Sequence, residues 1–259
     1  LIYKLEENRW RVCIADSDVL LFIKGIVAVK NLKVSAFEAN IDTLAVQGPK
    51  SLKLMQKVFG NEISNLKFFR FDFFSFNNHR FLISRSGFSK QGGFEIHVDN
   101  TKAGLDLYDY FFKIGTNYNL KPGAPNHPER IEGGLLSYGN DMLISDNPYE
   151  CGFDNYVNLD SNVVFLAKES LKAIKKAGIN RKLMGVKIDT NKLDLNQVSL
   201  VNKSKQVVGE LRSAAFSPKL KKIVGIAMVN INLTRDNKKI SVNVNNQYIN
   251  GEICNFPII

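Results

Sequence analysis

Apolar positions along this chain follow helical and strand periods in alternation up to about residue 180, and mostly strand periods beyond it. Leu1 to Leu5 reads as a strand, Glu6 to Arg9 as a turn, and Trp10 to Ala15 as a second strand. Asp16, Ser17 and Asp18 are suited to cap a helix over Val19 to Val29. A strand at Lys33 to Phe37 would complete a β-β-α-β layer. Thr43 to Gln47 is the next strand, broken by Gly48-Pro49, and Lys50 to Val58 carries Leu52, Met55 and Val58 at helical spacing. Six phenylalanines between Phe68 and Phe76 read as two core strands, with an aromatic ligand platform as the alternative. His79 to Ser86 and Phe94 to Val98 read as partner strands. Thr101 to Thr116 reads as a helix turning Leu105, Tyr108, Phe111 and Phe112 inward.

Asn126-His127-Pro128 is a helix start with proline in the first turn, and that helix is expected to run on to Ser137. Gly133 and Gly134 within it would weaken it by up to ~1 kcal/mol each relative to alanine, so a close neighbour is expected there, either protein or ligand. Turn formers fill Asn140 to Pro148. Asn155 to Leu159 reads as a strand and Ala167 to Lys176 as a basic helix. From Leu183 onward come strands at Leu183–Ile188, Val207–Arg212, Val224–Val229, Ile240–Val244 and Gln247–Ile253, the pattern of a small β-barrel or sandwich. The class is α+β, with residues 1–178 as two α+β subdomains and 179–259 as a C-terminal β-barrel domain. Because the chain opens inside a hairpin without methionine, the first subdomain is expected to lack an N-terminal part.

Composition narrows this further. A chain of 259 residues that is 44% hydrophobic and 23% charged fits a globular protein. No apolar run approaches the ~18 residues a membrane span needs. Cys13, Cys151 and Cys254 lie far apart, as do His79, His97 and His127, so neither disulfides nor a metal site are expected, and a cytoplasmic location is. The net charge of +10 is spread over dispersed lysines, which reads as a solvated basic surface rather than a nucleic-acid footprint. It would also attract a small polyanion.

The segment Gly87-Phe88-Ser89-Lys90-Gln91-Gly92-Gly93-Phe94-Glu95-Ile96-His97-Val98 carries the candidate chemistry. It reads as a glycine-rich turn feeding a strand, with Phe94, Ile96 and Val98 on one face and Glu95 and His97 on the other. A carboxylate and an imidazole side by side suit ligand reading.

Four segments resemble the aminomethyltransferase family, which includes the T-protein of the glycine cleavage system. They are Ala45-Val46-Gln47-Gly48-Pro49-Lys50-Ser51, Ser86 to Ile96, Glu129-Arg130-Ile131-Glu132-Gly133-Gly134 through Asp141, and Gly209-Glu210-Leu211-Arg212-Ser213-Ala214 through Leu220. The details at Ala15-Asp16-Ser17-Asp18, at Ser89 to Gly93, at Asn147-Pro148-Tyr149-Glu150-Cys151-Gly152-Phe153-Asp154 and at Gly209 to Ala214 are similar to the branch that demethylates dimethylsulfoniopropionate.

The resemblance implies a cloverleaf fold and a methyltransferase that moves a methyl from a sulfonium to N5 of tetrahydrofolate, with small molecules as partners. It implies folate contacts at Glu95 and Arg130. For Arg130, an ion pair with Glu132 or Asp141 is the alternative reading. It places Cys13, Phe88 and His97 on the substrate side, where the relatives carry Ser, Trp and Tyr, so the identity of the methyl donor stays open. The acidic residue that the family uses near N5 would fall just upstream of Leu1, leaving the catalytic group unassigned. A T-protein-like enzyme acting on an aminomethyl group or a methylated amine, and an inactive folate-binding homologue, are the other readings.

Overall fold

The computed structural model describes residues 1–14, 17–194, 198–202, 204–234 and 238–259. Expectations that fall on Ala15 and Asp16 lie outside these residues. The chain divides into two compact units, Leu1–Pro125 and Asn126–Ile259.

In the first unit a hairpin of β1 (Ile2–Glu6) and β2 (Arg9–Val12) is followed by α1 (Val19–Val29). Then come β3 (Asp42–Gln47), α2 (Ser51–Phe59), β4 (Phe71–Phe76), β5 (His79–Ser84), β6 (Gly93–Val98) and α3 (Thr101–Gly115). β3 to β6 form an antiparallel sheet in the order β3-β6-β5-β4. Phe94, Ile96 and Val98 of β6 join Val46, Phe81 and Ile83 on the face that packs against Leu54 and Met55 of α2 and Leu107 and Phe111 of α3. Strand alternation therefore sends Glu95 and His97 to the opposite face.

Four local expectations for this unit are corrected. Asp18 stands at the start of α1, but its side chain makes no capping bond. Lys33 to Phe37 is not a strand: no strand pairs with it, and Phe37 is 75% exposed. The phenylalanine run forms one strand rather than two, and none of its six rings is buried. The inward face of α3 is Gly104, Leu107, Phe111 and Gly115, while Leu105 is 60% exposed. Gly104 sets that face, because a Cβ there would collide with Val98.

The second unit opens with α4 (His127–Gly133), capped by the Asn126 side chain, which accepts from the Glu129 N–H at 3.1 Å. α4 stops short of Ser137, since Gly134 takes the left-handed conformation at φ +67° and ends it. The close neighbour at Gly134 is the ring of Phe256, 2.6 Å from where a Cβ would sit. Asn155 to Leu159 forms no strand; a single 3-10 turn, Asp154–Tyr156, occupies its start.

After α5 (Lys168–Ala177) come β7 (Arg181–Ile188), β8 (Val198–Val201), β9 (Val207–Ser217), β10 (Lys222–Asn230), β11 (Lys238–Val244) and β12 (Gln247–Cys254). They close into a barrel in the order β10-β7-β12-β11-β8-β9. β10 is buried along nearly its whole length because both faces are covered. Ile223, Ala227 and Val229 join the barrel core, while Val224, Ile226 and Met228 pack with Ile131 of α4.

Candidate functional site

Glu95 sits on β6 opposite Ser84 of β5 and Ala45 of β3. The Ser86 hydroxyl donates to Glu95 Oε2. Ser86 is in turn 2.7 Å from Ser84 Oγ, and Ser84 is 3.1 Å from the Tyr3 hydroxyl. Ser84 and Ser86 are buried, so this row of hydroxyls fixes the carboxylate from one side. Glu95 Oε1 makes no hydrogen bond to the described residues. Burial pushes the Tyr3 phenol up, against the hydrogen bonds from the two serines. A protonated phenol can keep donating along the row.

His97 lies two residues along the same strand face, 4% exposed. The Tyr3 ring stands edge-on to it at 4.9 Å. Arg11 Nη1 is 3.0 Å from His97 Nδ1. A guanidinium can only donate, so Nδ1 accepts and the imidazole is neutral with its hydrogen on Nε2. Burial, reinforced by the Arg11 charge, pushes the His97 pKa down to about 4. Cys13 extends the hairpin beside Arg11 through its N–H, 2.9 Å from the Leu1 carbonyl. Its thiol is half-buried and its pKa is raised by burial, with the Arg11 and Glu95 charges acting in opposite directions.

The glycine-rich loop between β5 and β6 is held by Gln47. Its Nε2 donates to the Ser86 carbonyl at 3.0 Å and the Phe94 carbonyl at 3.1 Å, and its Oε1 accepts from Ser89 Oγ at 2.7 Å. Gly87 and Gly93 leave room for that amide, since a Cβ on either would strike it. Phe88 projects from this loop, 40% exposed.

Arg130 belongs to the second unit and is 6% exposed. Its Nη1 donates to Asp141 Oδ2 at 2.7 Å and to the Leu135 carbonyl at 3.2 Å, Nη2 to Ser213 Oγ at 3.1 Å, and Nε to His127 Nδ1 at 3.2 Å. Asp141 also accepts from Ser213 Oγ and from the Ser137 N–H at 2.7 Å. The His127 pKa is lowered by burial and by Arg130. Four of the five guanidinium hydrogens are thus engaged by described residues. The segments around Asn147 and Gly209 are joined by charge: Arg181 bonds Glu150 and Asp146, each at 2.9 Å, and Arg212 approaches Asp146 at 3.7 Å.

The structure thus gathers Glu95, His97 and Cys13 in one unit and places Phe88 on the adjoining loop. It adds Tyr3, Arg11, Ser84, Ser86 and Gln47, which sequence reasoning had not assigned roles. The i, i+2 spacing of Ser84 and Ser86 marked a shared face, but only strand pairing shows that Glu95 faces them. Among the described residues, no helix is long and apolar enough to cross a membrane.

Comparison with known proteins gives consistent matches in both halves. Residues 1–161 match the GCVT N-terminal domain, and residues 181–259 match the glycine cleavage T-protein C-terminal barrel domain. The chain is 35% identical over 226 residues to the dimethylsulfoniopropionate demethylase DmdA of Ruegeria pomeroyi, covering 87% of this chain and 62% of that protein. It is 28% identical over 253 residues to an aminomethyltransferase of Thermoanaerobacter pseudethanolicus, covering 95% and 68%. The crystal structure of glycine cleavage system aminomethyltransferase T from Bartonella henselae superposes with a TM-score of 0.74 at 18% identity, over 92% of this chain and 66% of that one. The chain thus spans about two thirds of the length of these relatives.

Proposed function

Since the chain belongs to the glycine cleavage T-protein family of aminomethyltransferases, we propose that it is a tetrahydrofolate-dependent methyltransferase taking its methyl from the sulfonium of dimethylsulfoniopropionate. The observation that carries this reading is the Glu95 carboxylate, braced by Ser86 and open at Oε1. Such a group can accept two N–H bonds from the pterin ring at once. Similarity to the Ruegeria demethylase supports the choice of donor. We propose Arg130 as a second folate contact through its fifth guanidinium N–H, and Cys13, Phe88 and His97 as the donor side. We also propose a cytoplasmic setting, which the wide spacing of Cys13, Cys151 and Cys254 along the chain suits.

The chemistry asks for positioning. In the transfer the S–CH3 bond breaks as the N5–CH3 bond forms, a neutral thioether departs, and the amine proton is released. Tetrahydrofolate supplies the nucleophilic nitrogen. What this chain contributes is an oriented pterin at Glu95, exclusion of water by Tyr3 and His97, and an aromatic face at Phe88 for the sulfonium. His97 offers an N–H at Nε2 and, with Nδ1 taken by Arg11, is not the proton acceptor.

Incubating the protein with tetrahydrofolate and dimethylsulfoniopropionate should yield 5-methyltetrahydrofolate and methylmercaptopropionate. Folate binding without product would overturn the donor assignment. The 28% match to an aminomethyltransferase favours a second reading, tested by replacing the donor with dimethylglycine or sarcosine.

A further inference from the structure

Among the described residues, Arg11 is a cation without a counter-ion beside the proposed donor site. In the hairpin it pairs with Tyr3, and directly opposed residues project to the same side. Tyr3 is buried against His97, so Arg11 is carried to the same place, where its Nη1 meets His97 Nδ1. Trp10 and Val12, which alternate with it, are exposed on the other side. Among the described residues no Asp or Glu forms an ion pair with Arg11. The acidic side chain of the cluster among the described residues, Glu95, is bonded to Ser86 instead. A half-buried guanidinium resting on a neutral imidazole carries a desolvation cost that an arriving anion would offset.

We propose that Arg11 anchors the carboxylate of the methyl donor, and so selects zwitterionic onium carboxylates over simple onium cations. The inference rests on the methyltransferase reading above and names the part of the donor which that reading leaves open. Arg11 presents several N–H groups in a fixed fork, the geometry that matches a carboxylate. Its uncompensated charge repels a donor that is only cationic, and a carboxylate on the same donor turns that repulsion into attraction. Neutral His97 adds no competing charge. Phe88 on the neighbouring loop can meet the onium end. Both a sulfonium carboxylate and an N-methylated amino acid satisfy this chemistry.

The test is calorimetric binding at pH 8 to the wild-type chain, Arg11→Gln and Arg11→Lys. The probes are dimethylsulfoniopropionate, dimethylglycine and trimethylsulfonium, with tetrahydrofolate titrated separately. We expect Arg11→Gln to weaken at least one carboxylate donor about tenfold or more, Arg11→Lys to recover part of that loss, and trimethylsulfonium not to weaken. Tetrahydrofolate affinity should be the same in all three proteins. Unchanged carboxylate binding in Arg11→Gln would overturn the inference, and so would an equal loss for trimethylsulfonium. Absence of carboxylate-donor binding to wild type, with tetrahydrofolate bound, would overturn it while leaving the folate reading intact. Absence of tetrahydrofolate binding would sink the folate reading alone, and the donor series would still decide Arg11.

Discussion

Arg130 Nη1 lies 2.7 Å from Asp141 Oδ2, and both side chains are buried. Asp141 also gathers the Ser213 hydroxyl and the Ser137 N–H, so this pair ties α4, the following loop and β9 together. Removing one partner of such a pair strands a charge in a low-dielectric site. Asp141→Ala should destabilise the protein by about 3–5 kcal/mol, with Asp141→Asn costing less because it keeps acceptor oxygen. Urea unfolding followed by circular dichroism measures this. A loss below about 1 kcal/mol, the range of an exposed ion pair, would mean the guanidinium is largely free for another partner.

Ser86 should matter to folate through Glu95 alone. Ser86→Ala removes the bond that fixes Glu95 Oε2, and the expected loss is about 1 kcal/mol in tetrahydrofolate affinity. Glu95→Ala should cost at least ~1.5 kcal/mol, as a charge-assisted bond is lost. The double variant should bind no worse than Glu95→Ala, because the serine has nothing left to position. Additive losses in a titration of the three variants would separate the two residues and remove the positioning role.

His97 ties stability to pH. Its pKa falls from 6.5 to about 4 in the folded protein, so below 6.5 the unfolded chain binds a proton that the native chain refuses. The sign is fixed: stability from this group is fully present above pH 6.5 and is lost as pH falls toward 4. The full loss amounts to about 3 kcal/mol. Urea midpoints measured between pH 7.5 and 4 should fall more steeply for wild type than for His97→Gln. Parallel curves would place the imidazole in water.

How much of this was legible beforehand depends on the range of the contact. The alternation of Phe94, Ile96 and Val98 against Glu95 and His97 was readable because strand geometry alone sets it. The inward face of α3 was misread because Leu105, Tyr108 and Phe112 form an apolar stripe as regular as Leu107 and Phe111. The deciding signal was steric: Gly104 and Gly115 mark where Val98 and Leu120 come close. Lys33 to Phe37 had strand-like composition but no partner, and a strand exists only with one. The Arg11–His97 contact joins residues 86 apart in sequence, so no local pattern could announce it.

Gly134 should tolerate no side chain. Its φ of +67° disfavours alanine by about 1 kcal/mol, and a Cβ there would lie 2.6 Å from the Phe256 ring. Gly134→Ala is expected to lower stability by about 2 kcal/mol or more. Phe256→Ala removes the collision but not the backbone strain. A double-mutant cycle should therefore show the two changes costing less together than their sum.

The last prediction concerns the loop that carries Phe88. Gln47 bonds the Ser86 and Phe94 carbonyls on either side of the loop and the Ser89 hydroxyl within it, while Gly48 N–H reaches the Gly92 carbonyl at 2.9 Å. Gln47→Ala deletes the three side-chain bonds and leaves the Gly48–Gly92 bond in place. The loop should then open locally far more often than the whole unit unfolds. Lys90 at its exposed tip makes that opening visible to trypsin. Cleavage after Lys90 should speed up by on the order of a hundredfold, in line with roughly 1 kcal/mol for each of the three lost bonds. Mass spectrometry of a timed digest identifies the cut. If the rate is unchanged while the unfolding midpoint falls, Gln47 supports the sheet as a whole rather than the loop.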